Sequence, residues 1–373
     1  MKVVVDAIIY RMQPLGGISR IYSEILPRMC DADDSLRITL LIEGKLRQSL
    51  PEHSHITRQS LPFVRRYLRP EWIWRPIIPP VRRFVQHLWV GSGEGQIWHS
   101  TYFTLPESWA GTQVVTVADM IYERYAEFFN RPRDEQFREK KRRCIQQADA
   151  VICISEATRQ DVQHLYESDS IYVIPLAHSD IFRLLEQQRD KMERPTEQPF
   201  LLYVGSRGHY KNFARLIHAY GVWSRRKEVS LVVVGQPWSD DEKWQLAELG
   251  IHDSVCLLTD VDDERLCQLY NQAVAFVYPS LYEGFGIPLL EAMACGCPII
   301  ASRIPSTTEV AGEYPIYFEP VEIASLLVAF DMALSEKRNS ERVRMGIEHA
   351  KCYSWDKTAR QTLEVYHALS NPK

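Results

Sequence analysis

The run FVYPSLYEGFGIPLLEAMACGCPIIAS, residues Phe276 to Ser302, decides the fold. Ala275 to Tyr278 read as the end of a buried strand, and Pro279 stops it. Gly284 and Gly286 accept backbone angles that other residues resist, so the chain can pass close to a ligand. Pro288 suits the first turn of a helix, whose free amides attract anions. This pattern predicts Glu283 at a strand exit and Glu291 in the first turn of the following helix. Both carboxylates, when ionised, accept hydrogen bonds of the kind that sugar and ribose hydroxyls donate. Acids near a helix N-terminus are also favoured by the helix dipole alone, so the pair takes its meaning from the rest of the chain.

Outward from this corner the chain alternates strand and helix. Phe200–Val204, Val229–Val234, Val255–Leu258, Val274–Tyr278, Pro298–Ala301 and Pro315–Phe318 read as strands of the second half. Val3–Tyr10, Arg37–Ile42, Gln96–Ser100, Gln113–Val117, Ala150–Ile154 and Ser170–Ile174 read as strands of the first. Helical patterns such as Asp134–Ala148 and Glu156–Leu165 lie between them. Strands separated by helices predict parallel sheets covered on both faces. A polar stretch from about Ser179 to Pro199 reads as the linker. The expected fold class is α/β, with two doubly wound parallel-sheet domains, residues 1–178 and 179–355, and a ligand cleft between them.

The bulk properties agree with this division. At 373 residues the chain exceeds what one hydrophobic core usually supports. Hydrophobic residues make up 45% and charged residues 25%, with a net charge of −4, which gives no sign of nucleic-acid binding. No apolar run reaches the roughly 18 residues of a membrane span, and MKVVVDAIIYRM reads as a first strand rather than a signal peptide. The eight cysteines show no repeated CxxC pairs and read as reduced, structural thiols of a cytoplasmic protein.

Further motifs could hold an anionic ligand. In LYVGSRGHYKNF, Gly205 turns the chain after a strand, and Arg207 and Lys211 follow before a helix that begins near Asn212. In PLGGISR, Gly16 and Gly17 can bring their amides to an anion at the start of a helix beginning at Ile18, with Arg20 one turn on. The acidic pairs Asp240–Asp241 and Asp262–Asp263 lie in polar turns and read as helix caps rather than metal ligands, so no metal or cofactor is expected. Asp119, in VVTVADMIYE, and His99, in IWHSTYF, stand at strand ends and are candidates for the chemistry itself, Asp119 as a catalytic carboxylate. For His99 a packed, hydrogen-bonded histidine is the competing reading. Phe63 to Arg83 mixes six arginines with Trp72, Trp74 and Tyr67. It suits an anionic membrane surface or a lipid-pyrophosphate acceptor, and equally a solvated helical face. The run REKKRR, 138–143, reads as a solvated helix face.

The segment Phe276–Ser302 resembles, almost residue by residue, the signature of the retaining nucleotide-sugar glycosyltransferases of family 4, which have the GT-B fold of two Rossmann-like domains facing a central cleft. The GSRxxYKN variant is similar to bacterial polysaccharide mannosyltransferases. The resemblance implies that Glu283 binds donor-sugar hydroxyls and Glu291 the ribose. It further implies that Gly284, Phe285, Gly286 and Ile287 line the donor with backbone, and that Arg207 and Lys211 neutralise the diphosphate without a metal. Gly16 and Gly17 would close over the donor, with Arg20 and His99 on the acceptor side. A terminal helix, about 356–373, would cross back onto the first domain. The implied activity is transfer of a hexose, with mannose favoured, from a GDP- or UDP-hexose to a glycan or lipid-linked acceptor, in the cytoplasm or on the inner membrane face. One departure stands out. Many relatives carry a histidine where this chain has Ala118, and alanine can neither donate a hydrogen bond nor shuttle a proton. That departure keeps open a non-catalytic sugar-nucleotide-binding scaffold subunit; a GT-B nucleotide-sugar epimerase is a further alternative.

Overall fold

The computed structural model describes residues 1–13, 16–61, 91–106, 108–185 and 193–370. The chain forms two compact units, one of Met1–Leu176 with the segment from Trp355 onward, the other of Ala177–Ser354. The basic, aromatic stretch 63–83 lies outside the described residues.

The first unit is built on a seven-stranded, wholly parallel sheet in the order β3-β2-β1-β4-β5-β6-β7. Its strands are β1 (Lys2–Asp6), β2 (Arg37–Glu43), β3 (Ile56–Leu61), β4 (Gln96–Ser100), β5 (Thr112–Val117), β6 (Ala150–Cys153) and β7 (Ile171–Val173). The expected strand Val3–Tyr10 ends early. Asp6 accepts the amide of Ile8, and Ile8–Met12 turns into a short helix whose Ile9 and Tyr10 are buried. The chain thus stays apolar after the strand has finished. The edge strand β3 was not expected, because its partly exposed ITRQSL carries no continuous apolar run. The terminal helix Trp355–Ser370 packs on the helix Gly17–Ala32 and on β4.

The second unit has a six-stranded parallel sheet in the order β10-β9-β8-β11-β12-β13. Its strands are β8 (Phe200–Val204), β9 (Ser230–Val234), β10 (Val255–Leu258), β11 (Ala275–Tyr278), β12 (Ile299–Ser302) and β13 (Ile316–Phe318). The central β9 and β11 are buried along their whole length, as parallel strands covered on both faces must be. The strand order reverses between β8 and β11, which pair directly through Ala275 with Leu201 and Phe276 with Leu202. Loops leaving their carboxyl ends diverge there, and this is where an open α/β sheet holds its ligand. The expected linker is only partly one. Phe182 is buried against Tyr270 at 6.0 Å, and Asn271 binds the carbonyl of Arg183 and the amide of Leu185. Residues 179–185 are therefore packed into the second unit.

Candidate donor site

The site grows from the β8 and β11 exits. Gly205 follows β8 with φ of 131°, a conformation open to glycine but strained for any side chain. Its amide donates to Val234 of β9. The loop then makes a short 3-10 turn, His209–Lys211, and reaches Asn212 in the left-handed region at φ 59°. Asn212 is buried and donates its amide hydrogens to the carbonyls of Pro279 at 2.9 Å and Pro320 at 2.8 Å. The amide of Leu281 donates to the carbonyl of Tyr210 at 2.7 Å. The two exits are thereby stitched together, with Asn212 as the pin, a role that residue spacing did not reveal. Asn212→Ala leaves the buried carbonyl of Pro279 without its donor, takes one of two donors from Pro320, which Arg215 Nη1 also reaches at 3.3 Å, and puts a side chain less tolerant of positive φ in its place. It should cost about 2–3 kcal/mol of unfolding free energy in urea titration. A loss under about 0.5 kcal/mol would remove the pin.

The pin brings Lys211 to Glu283. Lys211 Nζ lies 2.7 Å from Glu283 Oε1, and Ser280 Oγ donates to the same oxygen at 2.6 Å. Both side chains are largely enclosed, at 20% and 12% exposure. Beneath them Tyr278 is buried, its phenol pushed well above its usual range first by burial and then by the charge of Glu283. A cation, a carboxylate and a hydroxyl thus meet at the switch point of the sheet.

Glu291 departs from expectation. The helix after the turn begins at Ile287, so Glu291 sits in its second turn, only 4% exposed, and accepts from the buried hydroxyl of Tyr270 at 3.3 Å. Gly286 caps that helix at φ 122°, and a Cβ there would come within 2.9 Å of Leu289. Gly284 and Phe285 are buried, and Phe285 meets Tyr353 edge-on at 6.0 Å.

Arg207 is not presented beside Lys211. Its guanidinium pairs with Glu242 on the helix Asp240–Glu248, through Nε at 2.5 Å and Nη2 at 3.1 Å, and Nη2 also donates to Pro237. It stacks over Trp238 at 4.5 Å, and its side chain is only 6% exposed. Of the acidic pairs, Asp262 caps its helix by accepting the amide of Arg265, whereas Ser239, not Asp240, caps the other.

In the first unit, Gly16 and Gly17 are exposed at the N-terminus of the helix Gly17–Ala32, whose N-cap residue, Gly16, offers no side chain to its first amides. Arg20, in its first turn, is half-buried. Asp119 follows β5 and accepts the amide of Ile121, while its carbonyl receives Lys141 Nζ at 2.6 Å. Ala118 immediately precedes it.

His99 takes the packed, hydrogen-bonded form that was its competing reading. It is fully buried, with Nδ1 2.5 Å from the hydroxyl of Tyr366 and Nε2 2.8 Å from Thr116 Oγ1. Both ring nitrogens are committed, and the residue fastens the terminal helix to the first sheet. Burial lowers its pKa to about 3, so it is neutral in the folded protein, while the unfolded chain protonates near pH 6.5. Its neutral contacts are fully available above pH 6.5, and stability falls as pH drops from there toward 3, by about 2 kcal/mol at pH 5. His99→Gln should flatten that limb in denaturant titrations at pH 7.5 and 5. An unchanged slope would place the acid sensitivity elsewhere.

Among the described residues, no helix is long and apolar enough to cross a membrane, and no cluster of three metal-capable side chains forms.

The family described as glycosyl transferases group 1 matches residues 185–351. O-antigen chain mannosyltransferase B of Escherichia coli is 27% identical over 95% of this chain and 97% of its own length. Sucrose-phosphate synthase of Thermosynechococcus elongatus superposes with a TM-score of 0.78 over 99% of both chains at 20% identity. HepE of Anabaena, solved in complex with UDP-glucose, gives 0.74 over 99% of this chain and 100% of that one at 15% identity. Residues 185–351 thus match the glycosyl transferases group 1 family, and the chain has the GT-B fold and resembles the bacterial mannosyltransferases.

Proposed function

We propose that this protein is a retaining, metal-independent hexosyltransferase. It moves a hexose, with mannose favoured, from a GDP- or UDP-hexose to a glycan or lipid-linked acceptor in surface polysaccharide synthesis. The observation that carries the reading is the Lys211–Glu283–Ser280 cluster at the β8/β11 switch point. Breaking a bond to a nucleoside diphosphate builds negative charge on the leaving phosphate, and a fixed ammonium there stabilises the transition state. Glu283 accepts from donor-sugar hydroxyls and holds the ammonium in place. The preference for mannose rests on likeness to the O-antigen mannosyltransferase over nearly the full length of both chains.

The chemistry on the first unit is narrower. Ala118 offers no proton-transfer group, so the departing phosphate takes the acceptor proton, and Asp119 is the neighbouring carboxylate. Ala118 also favours the second reading, a non-catalytic subunit that binds the donor. Incubation with GDP-mannose or UDP-glucose and a bacterial polysaccharide or lipid-linked acceptor fraction separates the two. The expected result is a new glycosidic product with the donor's anomeric configuration by NMR, undiminished by EDTA. Binding without transfer or slow hydrolysis would leave the scaffold reading. Donor interconversion without a glycosidic product would mean an epimerase.

A further inference from the structure

The loop that carries Lys211 to Glu283 carries Arg207 away from it. Arg207 and Lys211 are four residues apart, yet each ends on a different carboxylate. Lys211 meets Glu283 at the switch point, and Arg207 meets Glu242 beyond the end of β9. A buried guanidinium usually has every N–H satisfied. Here Nη1 of Arg207 is buried with no hydrogen-bond partner among the described residues, lying near Gly235, where an added Cβ would come within 2.9 Å of it.

We propose that Glu242 is the resting counter-ion of Arg207, exchanged for the donor diphosphate when the nucleotide sugar binds. The inference rests on the donor-site reading above. Three features allow the exchange. Gly205 and Gly208 flank Ser206–Arg207, so the segment bearing the guanidinium can re-aim at little steric cost. Glu242 has a second commitment that survives the departure of Arg207: it holds the N3 position of a capping box, its Oε2 accepting the Ser239 amide at 2.7 Å while its own amide donates to Ser239 Oγ. The exchange also replaces one bidentate, charge-assisted pair by another of the same kind, so the guanidinium is paired in both states. Donor affinity then contains the cost of leaving Glu242, and weakening that hold raises the affinity.

Glu242→Gln is the direct test. Glutamine keeps the capping box and removes the charge that holds Arg207. Calorimetric titration with GDP and UDP should show binding tighter on the order of tenfold, ~1.4 kcal/mol, with no change for guanosine or uridine, which lack phosphates. Ser239→Ala breaks the same cap without touching Arg207. It should lower stability and leave nucleotide affinity as in the wild type, which separates a latch from a merely structural acid. In an Arg207→Ala background the gain from Glu242→Gln should vanish, because the latch acts only through Arg207. Wild-type protein that binds GDP or UDP, with a Glu242→Gln variant that binds no more tightly, overturns the latch and leaves the donor site standing. Wild-type protein that binds neither nucleotide overturns both.

Discussion

Lys211→Ala is expected to lower kcat/KM for sugar transfer by about 10²–10³-fold, or ~3–4 kcal/mol, and to weaken GDP or UDP binding. The size follows from where the ammonium stands. It is four-fifths enclosed, 2.7 Å from Glu283, on a loop pinned by Asn212, so it is already aimed before any ligand arrives. A preorganised cation needs no reorientation as charge develops on the leaving phosphate, and that is the condition under which such a group contributes most. Arg207→Ala should cost less in kcat/KM, because part of what its guanidinium gives the diphosphate is offset by leaving Glu242. Lys211 and Glu283 share one contact, so removing both should cost far less than the sum of the single losses. Steady-state kinetics of the two single variants and the double variant on one donor test this. Wild-type turnover in Lys211→Ala would take the lysine out of the site, and strict additivity would mean that the ion pair does not act as a unit.

The sequence made some of this legible and hid the rest for physical reasons. β4, β8 and β10 were readable to the residue, since a short apolar run bounded by polar or turn residues has few alternatives. Asp6 ended β1 sooner than its apolar continuation suggested, because Ile9 and Tyr10 are buried as part of a helix rather than as a strand, and burial alone does not distinguish the two. The Glu283 corner was local, built within one strand–turn–helix unit, and its meeting with Lys211 needed only the switch-point topology. Glu291 was misplaced by a single turn, because Pro288 marks a helix start without fixing its first residue. What stayed hidden were partners far apart in the chain. Glu242 lies 35 residues from Arg207, and Tyr366 lies 267 residues from His99. Residue type announces that a guanidinium or an imidazole needs a partner. It does not say which carboxylate or hydroxyl the fold will deliver.

Lys141 shows the same limit and carries the largest stability prediction. Within REKKRR it looks like one more solvated cation, and Lys140, Arg142 and Arg143 are indeed exposed. Lys141 instead points inward at 1% exposure, where its Nζ meets the Glu123 carboxylate at 3.0 Å and the Asp119 carbonyl at 2.6 Å. Glu123, 6% exposed, also accepts from Tyr166 at 2.8 Å. Lys141→Met keeps the length and apolar stem of the side chain but strands the carboxylate. Breaking one side of such a buried pair should cost about 3–5 kcal/mol at pH 8, read as a shift of the urea midpoint. Adding Glu123→Gln to Lys141→Met should recover a large part of that cost at pH 8, since the penalty comes from the unpaired charge rather than from a missing contact. Activity should not return with stability. The Asp119 carbonyl still lacks its donor in the double variant, so the loop after Ala118 loses its tether even when the core is neutral again. A Lys141→Met protein within about 1 kcal/mol of wild type at pH 8 would mean that this pair does not anchor the end of β5. A double variant that regains full transfer would separate the tether from the chemistry.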